Sequence, residues 1–209
     1  WRRGRGIVPP ERVAPLASHL KDPASFWRHH PVPSLAADSP LYVPQGDYWR
    51  GSTWAPTNYA VSQGFQRAGR TDLARELVAR HLEVLSDVFN ATGHLWENYS
   101  AESSGPGSWS GKDYCWTALG PIASLLETLI GVRGDALRMR VDFEPEPGEK
   151  VGVRRYPLGP ATIDIVQMVR EGVDTVEVRT DHAFDLVVHR AGKTWNPRCL
   201  PGGTRLALA

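Results

Sequence analysis

Glu97 stands in the stretch of this sequence whose residue types are best suited to chemistry. It lies between Trp96 and the pair Asn98-Tyr99, directly after a helical run that stops at Gly93. A carboxylate held near aromatic walls can act as a general base that activates water. Most glutamates are solvated surface residues, so this prediction depends on the residue types around Glu97.

Tryptophans near this glutamate predict the class of ligand. Of the 8 Trp in the chain, five fall in short loop-like stretches: Trp49, Trp54, Trp96, Trp109 and Trp116. The indoles of Trp49, Trp54 or Trp116 can stack on a sugar ring, and Arg50 and Asn98 can donate to its hydroxyls. These residues predict a carbohydrate site. The alternative is an aromatic-lined structural junction in which Arg50 pairs with a carboxylate.

Helices must position these residues. Apolar spacing and capping signals predict four of them, over 10–20, from Pro56 to Gly69, from Thr71 to Gly93 and over 117–131. The last is mostly apolar and should be buried on most sides. Residues 21–48 are rich in Pro, Ser and Asp, and such long excursions usually carry function or build a binding wall.

From about Arg133 the pattern changes to short, often alternating, β-branched segments separated by Gly, Pro and Asp turns. Five of them are predicted as strands: 141–144, 161–169, 175–179, 184–188 and 204–208. Strands without intervening helices predict a small antiparallel sandwich-like unit. The chain is therefore predicted to be α+β, with a helical domain over 1–133 and a β-rich domain over 134–209.

Composition limits the partners. Lys+Arg 24 against Asp+Glu 23 give a formal net charge of +1, and the charges are interleaved, so neither nucleic acid nor a membrane surface is expected. No apolar run approaches the roughly 20 residues of a membrane-spanning helix. The N-terminus lacks the apolar core of a signal peptide, so we expect a cytoplasmic location. The chain starts at Trp1, which leaves a preceding leader or longer segment open.

Metal and cofactor chemistry is not expected. Cys115 and Cys199 lie far apart and are predicted to be reduced structural thiols. His29 and His30 are adjacent, so their side chains should point apart, and no third ligand follows nearby.

Three motifs, taken in order, resemble the closing third of the (α/α)6-barrel inverting glycosidases. That group includes trehalases, processing α-glucosidase I and its bacterial relatives, and mannosylglycerate hydrolases. The motifs cover 48–59 (YWRGSTWAPTNY), 93–100 (GHLWENYS) and 114–122 (YCWTALGPI). The β-rich part is similar, less specifically, to a small accessory domain that follows the barrel in some bacterial trehalase-like proteins.

The resemblance implies a role for each matched residue. Glu97 corresponds to the general base of an inverting hydrolysis, Asn98 and Tyr99 flank it, and Trp116 opens the last helix. Trp49, Arg50 and Trp54 correspond to the floor of the sugar site. The group's general acid is an aspartate from an earlier loop, and no matching motif precedes residue 48. Asp47 and Asp113 match sugar-contact or structural positions.

The resemblance also implies an incomplete toroid, since about four helices are predicted where a closed double ring takes about twelve. We therefore expect the C-terminal portion of a glycoside hydrolase for α-linked glucosides or related small glycosides. Its partners would be a carbohydrate substrate and the missing N-terminal part of the barrel, and the chain should be inactive alone. Two alternatives stay open: a non-catalytic sugar-binding or scaffold module, and an α-toroid lyase or epimerase with His94 or a tyrosine as base.

Overall fold

The chain consists of two compact units. The computed structural model describes residues 8–208, and the chain divides after Thr128 into a helical unit and a β unit. The predicted boundary lay later, between residues 133 and 134. The division falls earlier because Ile130 and Val132 pack into the core of the β unit.

Four helical segments form the helical unit within residues 8–208. They are α1 (Pro10–Leu20), α2 (Ala55–Arg67), α3 (Thr71–Thr92), and a 3-10 turn over Cys115–Leu119 that continues as a π-helix over Gly120–Ile130. Four helices followed by β-sheets confirm the predicted fold class. The last segment was predicted to be a mostly apolar helix buried on most sides, but Ile122 is 59% exposed and Leu125 is 37% exposed. Its buried residues are Gly120, Ser124 and Thr128, and the segment is not a regular α-helix. Pro121 has no N–H to donate to the preceding turn, which breaks the regular pattern of hydrogen bonds there.

The longest helix, α3, buries one face against the segments that carry the predicted site. Leu77 packs with Trp27 and Val32, and a second apolar cluster comprises Val84, Leu85, Val88 and Tyr99. Phe89 was grouped with the apolar face but is about half exposed, because it lies about 100° around the helix from Val88. Gly93 ends α3 in the left-handed conformation, as predicted.

The long segment between α1 and α2 is tied to the residues that follow Glu97. Arg28 donates from Nε to Glu102 Oε1 over 2.8 Å and from Nη2 to Oε2 over 2.7 Å. The Tyr42 hydroxyl donates to Glu102 Oε1 over 2.6 Å. The hydrogen bond from Arg28 is the main cause that lowers the pKa of Glu102. The segment is therefore held in place by a charged, half-buried cluster.

Two sheets share one apolar core in the β unit. One sheet has the order β1-β2-β6-β7 with β8 on β6, and the other has the order β3-β4-β5-β9. The strands are β1 (Val132–Asp135), β2 (Arg140–Phe143), β3 (Val151–Leu158), β4 (Ala161–Arg170), β5 (Val173–Thr180), β6 (Phe184–Arg190), β7 (Lys193–Trp195), β8 (Arg198–Cys199) and β9 (Gly202–Ala207). The core is formed mainly by alternate residues such as Ile163 and Ile165 of β4.

One strand pair departs from the predicted antiparallel arrangement. Strands β2 and β6 run parallel, with Val141 opposite Leu186, whereas the other pairs are antiparallel. The chain leaves this sheet after β2, builds three strands of the other sheet and returns as β6 in the same direction. A parallel pair requires such a long connection.

No helix within residues 8–208 combines the length and the apolar character needed to cross a membrane. The cytoplasmic location stays a prediction.

Candidate active site

Backbone hydrogen bonds join the Glu97 segment to the loop that precedes α2. Thr53 N–H donates to Tyr99 O, and Tyr99 N–H donates to Thr53 O, each over 2.9 Å. Thr53 belongs to the loop that carries Trp49, Arg50 and Trp54. The structure therefore brings the first two sequence motifs side by side.

The Glu97 carboxylate is held by one donor on each oxygen. The Tyr48 hydroxyl donates to Oε1 over 3.2 Å, and the Gly111 N–H donates to Oε2 over 3.4 Å. The hydrogen bond to Glu97 raises the pKa of Tyr48, and the nearby Tyr114 adds to that shift. Tyr48 therefore stays protonated as a donor, and the half-buried carboxylate keeps lone pairs that can accept a proton from water.

Unusual backbone conformations occur in the loops around Glu97. Tyr48, Trp109 and Asp113 have φ of 52°, 59° and 54°, in the left-handed region that non-glycine residues rarely adopt. Such conformations cost free energy and are concentrated at functional sites, where the surrounding structure enforces them. Five other non-glycine residues of the described chain share this conformation outside these loops, so it does not by itself indicate a functional site.

Trp49 and Trp54 form a stacked pair beside Tyr48. Their ring centroids are 4.4 Å apart and their planes differ by 8°, while the Tyr48 ring meets each of them edge on. Trp54 is 4% exposed and Trp49 is 54% exposed. The buried indole supports the exposed one, which leaves Trp49 with surface that can receive a sugar ring.

Arg50 lies in the same loop and forms an ion pair with Asp47. Its side chain is 57% exposed, and a guanidinium carries five N–H donors. The ion pair is the structural role that was weighed against sugar binding. It leaves other donors of Arg50 facing solvent.

Asn98 and Tyr99 lie inside the helical unit, with no exposed surface. The Tyr99 hydroxyl accepts a hydrogen bond of 3.0 Å from Trp96 N–H, and burial raises its pKa to about 12. In this arrangement neither side chain offers a surface to a ligand, because the next loop covers Asn98. Their predicted contact with substrate stays a prediction. The Tyr99 hydroxyl helps to hold the segment that carries Glu97 through its bond with Trp96, whereas the Asn98 side chain makes no such bond among the described residues.

Trp116 stands at the start of the 3-10 turn and is 61% exposed. Its ring contacts Tyr114, with centroids 6.1 Å apart. Tyr114 N–H in turn donates to Leu95 O over 3.1 Å. Trp116 is therefore linked to the Glu97 segment through Tyr114.

His94, the base of the lyase or epimerase alternative, is paired with a carboxylate. Its Nδ1 lies 3.1 Å from Asp113 Oδ2, and its ring meets Trp96 edge on. A carboxylate at Nδ1 fixes the tautomer and leaves Nε2 as the basic nitrogen. Asp113 therefore orients a histidine. The resemblance matched Asp113 to a sugar-contact or a structural position, and that match stays a prediction.

The adjacent histidines lie in different environments. His29 is exposed and bonds to Ser104, whereas His30 is fully buried and bonds to His81. Among residues 8–208, no group of three or more His, Cys, Asp or Glu side chains is arranged to hold a metal. Cys115 and Cys199 are both free thiols.

Three residues that contact the Glu97 segment were not predicted as site residues. Tyr48 opens the first motif, so its position beside Trp49 was an available signal. Ser110 and Gly111 lie in a loop without periodicity, and their hydrogen bonds to Asn98 and Glu97 depend on how that loop folds back. The sequence contains no local signal for that contact.

The Glu97 carboxylate has two donors, and one of them, Tyr48, also contacts an exposed indole that stacks on a buried one. This arrangement suits a glycoside hydrolase. Residues 5–117 match the sequence model of the mannosylglycerate hydrolase MGH1-like glycoside hydrolase domain. The chain therefore belongs to this family of glycoside hydrolase domains, and both Glu97 and the stacked tryptophans lie in the matched part.

Three curated proteins are similar to part of this chain. An uncharacterized protein of Borreliella burgdorferi is 31% identical over 134 residues, which cover 58% of this chain and 28% of that protein. A probable mannosyl-oligosaccharide glucosidase of Schizosaccharomyces pombe is 28% identical, covering 54% of this chain and 16% of the relative. Mannosylglycerate hydrolase of Thermus thermophilus is 36% identical over 72 residues, covering 33% and 17%. The chain thus spans less than a third of each.

Proposed function

We propose that this chain supplies the general base and part of the sugar-binding floor of an inverting glycoside hydrolase. Its substrates would be α-linked glucosides or related small glycosides. The observation that carries the proposal is the Glu97 carboxylate, held between Tyr48 and Gly111 in a segment that matches a glycoside hydrolase family. Two relatives bear the names of a probable mannosyl-oligosaccharide glucosidase and a mannosylglycerate hydrolase, which supports this substrate range.

In the proposed reaction Glu97 removes a proton from a water molecule as that water attacks the anomeric carbon. The attack comes from the face opposite the leaving group, so the configuration inverts. An inverting pair of carboxyl groups stands about 6.5–9.5 Å apart to leave room for this water. The exposed face of Trp49 would stack on the sugar ring, and Arg50 would donate to its hydroxyls.

The proton donor to the leaving group is proposed to lie outside this chain. No acid motif precedes residue 48, and Asp47 and Asp113 are already paired with Arg50 and His94. The functional partner would be the remaining part of the barrel, encoded before Trp1. We call the protein that would contain both parts the full-length protein.

Product stereochemistry tests the mechanism. The full-length protein, given mannosylglycerate or an α-linked glucose disaccharide, is expected to release the β anomer of the freed sugar first. Proton NMR of the anomeric region during the first minutes measures this before mutarotation mixes the anomers. Release of the α anomer first would exclude inversion and with it the proposed role of Glu97. A double-bond product would instead identify a lyase.

The isolated chain is expected to be folded and inactive. Without a proton donor, departure of the leaving group is not assisted, and general acid catalysis typically contributes about 10²–10⁴-fold. The assay compares the purified 209-residue chain with the full-length protein on the same glycosides, while circular dichroism checks that the chain is folded. Hydrolysis by the isolated chain that disappears on Glu97→Gln would place the acid within these residues.

A further inference from the structure

The loop over 105–111, named here the clamp loop, holds the backbone on which Glu97 stands. Glu97 N–H donates to Gly111 O over 2.8 Å, and Gly111 N–H returns a bond to the Glu97 carboxylate. Gly107 N–H donates to Asn98 O over 3.1 Å. Both the main chain and the side chain of Glu97 are thus bonded to this loop.

Ser110 adds two further hydrogen bonds with a single hydroxyl. Its Oγ accepts from Asn98 N–H over 2.9 Å and donates to Asn98 O over 2.8 Å. A serine hydroxyl has one donor and two acceptor positions, so Ser110 acts here as both a donor and an acceptor. Asn98 N belongs to the planar peptide unit that follows Glu97, so Ser110 fixes the plane of the peptide next to the base.

The side chain of Asn98 does not take part in these hydrogen bonds. It is fully buried, and neither Oδ1 nor Nδ2 has a hydrogen-bond partner in the part of the chain that the structure describes. A Cβ atom on Gly107 would lie 2.1 Å from Asn98 Oδ1, so the clamp loop lies directly against the amide. A buried amide without partners costs free energy, and the surrounding contacts must offset that cost.

We propose that Ser110 is a positioning residue for Glu97. This inference rests on the proposed function, since it deepens the role of Glu97 as the base. Ser110 acts through the Asn98 peptide and does not touch the substrate. Its hydroxyl keeps the base at the distance and angle from which it reaches the attacking water.

The test is a set of three variants of the full-length protein. Ser110→Ala removes both hydrogen bonds and is expected to lower kcat by about 10- to 100-fold, because small displacements of a catalytic group reduce the rate by such factors. KM should stay within about twofold, since the sugar floor at Trp49 is not altered. Ser110→Thr keeps the hydroxyl and should restore most of kcat. Ser108→Ala is the matched control, since Ser108 is exposed in the same loop and should behave as wild type.

A double variant separates positioning from a general effect on folding. Ser110→Ala added to Glu97→Gln should lower the residual rate no further, because both changes act on the same base. Unchanged kcat in Ser110→Ala, or an equal loss in Ser108→Ala, would overturn the inference. So would a loss that threonine does not restore. The proposed function fails separately, if Glu97→Gln retains full activity.

Discussion

Replacement of Glu97 by glutamine is expected to lower kcat of the full-length protein by about 10²- to 10⁴-fold, the usual contribution of a general base. The amide cannot take a proton from water, so the chemical step loses its base. Sugar binding should change little, because Trp49 and Arg50 remain in place. The measurement compares kcat from initial rates with the affinity obtained from tryptophan fluorescence during titration with the sugar.

Glutamine fits this site without disturbing it. The two carboxylate oxygens of Glu97 face a tyrosine hydroxyl and a backbone N–H. The Tyr48 hydroxyl can accept as well as donate, so a glutamine amide nitrogen can face Tyr48 while its oxygen accepts from Gly111. A loss of turnover can therefore be assigned to the missing base rather than to a misplaced loop.

Glu83→Gln is the control for this substitution. Glu83 is exposed on α3 in the same helical unit, and its neutralisation should leave kcat unchanged. If Glu97→Gln retains turnover, Glu97 is not the base. If the full-length wild type binds sugar but never hydrolyses it, the protein is a sugar-binding module and not an enzyme.

Acidification is expected to destabilise the helical unit through a buried histidine pair. His30 Nε2 lies 2.6 Å from His81 Nδ1, and both side chains are fully buried. Burial lowers the pKa of His81 to about 3. Burial also lowers the pKa of His30 well below its usual range, and the neighbouring His81 and His29 lower it further. The pair is therefore neutral in the folded protein at neutral pH.

The direction of the effect follows from these pKa values. Both histidines bind protons more readily when unfolded, with a pKa near 6.5, so stability is complete above about pH 6.5 and falls below it. Each pH unit in that window costs about 1.4 kcal/mol for each histidine that stays neutral. A change to about pH 5 should therefore lower the free energy of unfolding by about 2–4 kcal/mol.

Urea unfolding at several pH values measures this dependence. Tryptophan fluorescence reports mainly on the helical unit, because every tryptophan except Trp195 precedes Thr128. The double variant His30→Gln/His81→Asn keeps amide nitrogens or oxygens near the two bonded positions and should flatten the profile. His19→Gln, at an exposed position, should leave it unchanged. An equally steep profile in the double variant would assign the effect to other groups.

Much of the helical unit follows from local sequence signals. The end of α3 at Gly93 and the place of Pro56 in the first turn of α2 are set by residues within one turn. The position of Glu97 directly after α3 follows from the same signals. Such features are predictable because the forces that decide them act between near neighbours in the chain.

Features that depend on distant contacts were not predictable in the same way. His30 pairs with a residue 51 positions away, and the parallel partner of β2 lies beyond three strands of another sheet. The same applies to Ser110, whose proposed role depends on its hydrogen bonds to the backbone of Asn98. Residue type alone does not indicate such partners, since serine and histidine are common in solvated loops as well.

The clamp loop contacts the Glu97 segment through backbone groups and one hydroxyl, while the ring of Trp109 in the same loop is 83% exposed. In the proposed enzyme, a substitution at Trp109 would therefore change the side-chain surface of the loop and leave those hydrogen bonds in place. The proposed base could then keep its position while the surface offered to a sugar varies.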